Sequence, residues 1–109
     1  MELKNVKDCI EQLISEIGKC RRDIENRGNA RAKAISNYDK QLMIAIKALK
    51  AEGKMPATLI EKIAKGVCAD HRETLEMAEV GYKAVISNLH ALQAQLNGYQ
   101  SIYRHLESV

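Results

Sequence analysis

The sequence predicts an all-α chain that doubles back once to form a long antiparallel helical hairpin. Three observations predict it: a composition poor in chain breakers, a cluster of turn signals at the midpoint, and two heptad stripes whose numbering matches in reverse. Of 109 residues, one is proline and six are glycine, and neither Trp nor Phe occurs. Apolar residues, mostly Ile, Leu, Val and Ala, make up 46% and charged residues 28%. Ala, Glu, Lys, Leu and Arg with few breakers is the composition of long helices. An all-β chain would need turn signals at every ten residues or so.

The first helix is expected over about residues 2–52. It carries Leu3, Val6, Ile10, Leu13, Ile17, Cys20 and Ile24. The steps alternate 3 and 4, the a/d repeat of a coiled coil. Its end is marked by Gly53, since a residue without a Cβ accepts the left-handed conformation that stops a helix. Lys47 and Lys50 lie in the last turn, where cations offset the helix dipole.

The turn holds the only proline, Pro56, inside AEGKMPATLIEK. Thr58 and Glu61 follow as a T-x-x-E capping box, which predicts a second helix over about 58–107. That helix carries Leu75, Ala78, Tyr82, Val85, Leu89, Leu92, Leu96, Tyr99, Tyr103 and Leu106, again at alternating steps.

Facing residues of an antiparallel hairpin have position numbers with a constant sum. Leu3 with Leu106, Ile10 with Tyr99, Ile17 with Leu92, Ile24 with Val85, Leu42 with Val67 and Leu49 with Ile60 all add to 109. The reversal then falls between Lys54 and Met55, inside the loop that the turn signals mark independently. The repeat slips in mid-helix, where Gly28 faces Gly81, and a soft point is expected there. A turn at Gly28-Asn29 would give three helices instead. It would leave half of the second helix without an antiparallel partner. Residues 1–109 are therefore read as a single helical-hairpin domain.

A two-stranded seam buries little apolar surface for the backbone entropy it must overcome. Ile14, Ile44, Met77, Ile86 and Ile102 lie outside the seam, placed to cover a second hairpin. A homodimer, in a four-helix arrangement, is the expectation.

The chemistry-bearing residues are few. Lys19, Arg21, Arg22, Arg27, Arg31 and Lys33 crowd into KCRRDIENRGNARAK. They are candidates for binding a polyanion or a partner, nucleic acid included. The alternative is a solvated face paired with Asp70, Glu73, Glu76 and Glu79 of the second helix. Arg27 falls at a seam position opposite Tyr82. Cys68 and His71 share a helix face at the level of Tyr38 and Asp39, but a metal site needs three or four convergent ligands. Tyr99 and Tyr103 suit core packing, with stacking on bases as the alternative. There is no glycine-rich phosphate loop and no zinc spacing, and a smooth two-helix surface offers no pocket to exclude water. No catalytic, cofactor or metal residues are expected, and the chain is read as not an enzyme.

Cys9, Cys20 and Cys68 are odd in number and widely spaced, which fits reduced thiols and a cytoplasmic location. The charged N-terminus is unlike a signal peptide. No apolar run approaches the roughly 20 residues that span a membrane, so no membrane partner is expected.

Three stretches carry a likeness to known proteins: GKMPATLIEKIAKGV at the turn, AEVGYKAV after it, and LNGYQSIYRHL near the end. Over residues 38–106 the chain resembles small, all-helical, uncharacterised proteins of phages and prophages of Gram-positive bacteria. The resemblance implies a short accessory protein made in an infected or lysogenic cell. It carries no functional residues with it. Two functions stay open: an interaction or scaffold protein that oligomerises and binds an unknown partner protein, or a nucleic-acid-binding accessory such as a host-nuclease inhibitor.

Overall fold

A computed structural model describes residues 2–108, and three helices account for nearly all of them. They are α1 (Leu3–Glu52), α2 (Ala57–Val67) and α3 (Ala69–Glu107), with no strand among the described residues. The chain is all-helical, and its order of elements is consistent with a helical hairpin.

The reversal is built as the turn residues dictate. Gly53 takes φ +65°, the one positive φ among the described residues, and its N–H bonds the Lys50 carbonyl at 3.2 Å. An L side chain there would press its Cβ on the neighbouring carbonyl. The N-cap of the second helix, however, lies two residues before Thr58, where the capping box places it. Pro56 is the N-cap, with φ −60° and ψ 143°, and no side chain caps the end. The Pro56 carbonyl accepts from the Leu59 N–H at 3.0 Å. Proline's fixed φ suits the entry to a helix and removes one N–H from the loop. Thr58 thereby lies inside α2. Glu61, which the capping box would turn back towards Thr58, reaches forward to Lys65 at 3.1 Å.

The expected single helix over 58–107 is interrupted at Cys68, which adopts φ −94° and ψ 16°. Helical hydrogen bonds run into and out of it, from Cys68 N–H to Ala64 and from Arg72 N–H to Cys68, each at 3.0 Å. The break is one residue out of line, where weak helix former Gly66 lies two positions upstream. It changes which residue turns inward. Cys68 is 2% exposed and Val67 is 69% exposed, so the expected Leu42–Val67 pairing does not form. α1 runs unbroken through Gly28, and the alternative turn at Gly28-Asn29 is absent.

Packing divides the chain into two units. Unit 1 comprises Met1–Asn26 and Tyr82–Val109, and unit 2 comprises Arg27–Gly81. The division falls at the Gly28/Gly81 level.

In unit 1, Leu13, Ile17, Cys20 and Leu92 form the buried cluster, with Ile24, Val85, Leu89, Leu96 and Tyr99 packed on it. Ile17 and Leu92 thus share one core, as the matched stripes require. Val6 is fully buried. The Cys20 thiol donates to the Val85 carbonyl at 3.4 Å. In unit 2 the buried side chains are smaller on average: Ile60, Ala64, Cys68 and Leu75. On α1, Gly28 and Arg31 are half-buried and bridge the 11-residue interval from Ile24 to Ile35.

Candidate functional site

The six basic candidates are set on α1 by a helix that continues through all of them, and helical geometry scatters them. Lys19 lines a groove of about 570 Å³ with Glu16, Asp23 and Asn88. Arg21 lines a different one of about 610 Å³ with Ile14, Gln93 and Asn97. Arg22 and Lys33 are exposed. Arg31 is half-buried and points to Glu79, 3.9 Å away. Arg27 lies on the bare backbone of Gly81, where a Cβ would come within 2.8 Å of its Nη1. The glycine therefore makes room for the guanidinium, and the Arg27 side chain lies against α3 while remaining exposed.

Of the acidic run, Glu79 stands beside Arg31. Glu76 instead accepts from Arg72 on its own helix at 3.0 Å. That bond raises the Arg72 guanidinium above its ordinary pKa, with Coulombic help from Glu76, Tyr38 and Glu79. The Arg72 guanidinium also stands 5.6 Å from the centre of the Tyr38 ring, a cation–π contact between α1 and α3.

Beside it, the Asn37 side-chain amide donates to His71 Nδ1 at 3.1 Å. His71 is thereby engaged, and Cys68, its neighbour on the helix, is buried. Among the described residues no group of three or more His, Cys, Asp or Glu is placed to hold a metal ion. The arrangement can hold two helices in register. Asn37 and Arg72 were not singled out from sequence, and Tyr38 was named only as lying at the level of Cys68 and His71. Their signal lay in the numbering, since 37 with 71 and 38 with 72 both fall within one of the constant sum.

Tyr99 packs on the unit 1 core, and Tyr103 lines a groove with Ile10, Gln100 and Arg104. The three cysteines are free thiols, with Cys20 and Cys68 buried. No helix among the described residues is long and apolar enough to cross a membrane.

The largest feature without an internal role is apolar. Leu3, Ile14 and Ile102 in unit 1, and Met43, Ile44, Leu59, Val67, Met77 and Val80 in unit 2, are 40–69% exposed. Compared with known protein families, curated proteins and solved structures, the chain matches none.

Proposed function

We propose that this chain is a non-enzymatic helical-hairpin interaction protein, phage- or prophage-like, that acts by assembling with a second copy and binding a partner protein. In this reading the 3-4 spacing continues along both arms as an antiparallel coiled coil, with its soft point at the Gly28/Gly81 level.

The observation that carries the reading is the amount of apolar side chain left in water. Among the described residues, nine large hydrophobic side chains are at least 40% exposed, whereas the buried apolar residues also number nine but include Ala64 and the two small thiols Cys20 and Cys68. The chain leaves 7919 Å² accessible, where a compact monomer of 12.2 kDa leaves about 6,100 Å². That surplus, for one chain, exceeds the roughly 800 Å² that each partner contributes to a standard-size protein interface. Met43 and Met77 are the adaptable kind that partner surfaces use, and the exposed Ile and Val side chains add apolar area beside them.

Light scattering across a concentration series tests the reading. The expected mass approaches twice 12.2 kDa as concentration rises. A mass that stays at one chain throughout overturns the assembly. Polarisation with DNA in rising salt tests the other function: a steep log–log fall in affinity would favour nucleic-acid binding by the basic residues of α1.

A further inference from the structure

α1 carries a second heptad stripe beside the one that packs on α3. Lys7, Glu11, Ile14, Gly18, Arg21 and Glu25 are spaced 4-3-4-3-4 and so share one face. All six belong to unit 1. Five are exposed and Gly18 is half-buried. Ile14 is 56% exposed, and a Cβ built on Gly18 would meet nothing within 4 Å. Among the described residues, Lys7, Glu11, Arg21 and Glu25 make no ion pair within the chain. The groove of about 610 Å³ shared with Gln93, Leu96 and Asn97 opens along the same face.

The order of the stripe is complementary to its own reverse. Laid antiparallel on a copy of itself, Lys7 meets Glu25, Glu11 meets Arg21, and Ile14 meets Gly18. Laid parallel, every charge meets its like. We infer that this face of α1 is the contact between two copies of the chain, related by a two-fold axis that crosses α1 at the level of Glu16. The inference rests on the self-association argued above and names its surface.

Each contact occurs twice by symmetry, as an isologous interface requires. The exposed ion pairs contribute little affinity individually but fix the antiparallel orientation, because the parallel one sets like charges together. Affinity comes from seating each Ile14 side chain over the other copy's Gly18. The missing side chain lets the backbones approach and takes Ile14 out of water.

The test is sedimentation equilibrium on the full chain and four variants, with helical circular dichroism as the check on folding. Glu11→Arg sets arginine against Arg21 of the other copy, and Arg21→Glu sets glutamate against Glu11. Each is expected to weaken the dimer roughly tenfold or more. The double variant E11R/R21E exchanges the two signs and is expected to restore dimerisation to within about threefold. Gly18→Leu fills the recess and is expected to abolish the dimer while helicity persists, since no atom stands where its Cβ would go. A monomeric wild type overturns both this inference and self-association. A dimer indifferent to the single charge reversals, or one that the double variant does not rescue, overturns this face and leaves self-association standing.

Discussion

Leu13, at 5% exposure, belongs to a buried cluster of four residues, and in so thin a core each side chain is a large share of the whole. Leu13→Ala removes buried methyl groups and leaves a gap that the two helices can partly close. The expected loss is about 2–3 kcal/mol, the lower part of the range for core leucines, read from chemical denaturation. Met77→Ala, at a site 67% exposed, is expected to change stability by less than about 0.5 kcal/mol. A small effect at Leu13 would mean that the cluster is not the core. The cysteines give an independent reading of the same packing. Cys9 is partly exposed, whereas Cys20 and Cys68 are buried. A thiol reagent is expected to consume one thiol quickly and two only as fast as the chain opens. Three fast thiols would contradict the burial of Cys20 and Cys68.

Helices and their ends were the most legible features, and the errors are local ones. The Gly53 stop could be read because only one residue type sits cheaply at positive φ. The capping box was misread because Thr58-x-x-Glu61 fits a side-chain pattern, while the helix starts from Pro56 two residues earlier, with no side-chain cap. The break at Cys68 was not legible at all. Val67 and Cys68 are adjacent and both apolar, so hydrophobic spacing alone cannot say which turns inward. For the basic residues, composition showed a cluster along the chain, but helical periodicity spreads six closely spaced cations around the axis. Two glycine substitutions separate these effects. Gly53→Ala is expected to cost about 1–2 kcal/mol, because φ +65° strains any L side chain. Gly98→Ala lies inside α3 with open space at its Cβ, and a gain of up to about 1 kcal/mol is expected from lower unfolded-state entropy. Thermal melts of both variants decide it, and the two shifts should have opposite sign.

Across the whole molecule, apolar burial is unequal. Unit 1 buries Val6, Leu13, Ile17, Cys20 and Leu92, whereas two of the four residues that unit 2 buries are Ala64 and Cys68. Six of the nine exposed large hydrophobics also belong to unit 2. Transfer free energy follows apolar area removed from water, so unit 2 gains less for a similar length of ordered backbone. Local opening free energy follows local burial, so amide hydrogen exchange should proceed faster in residues 57–81 than in 85–99. The comparison also bears on assembly. If a second copy covers the Lys7–Glu25 stripe of α1, raising the protein concentration removes further apolar surface from unit 1 and leaves 57–81 unchanged. The protection gap should then widen with concentration, and the melting temperature should rise by mass action. Equal protection in both segments would contradict the unequal cores. A gap that ignores concentration would count against dimerisation through α1 even where the cores differ as described.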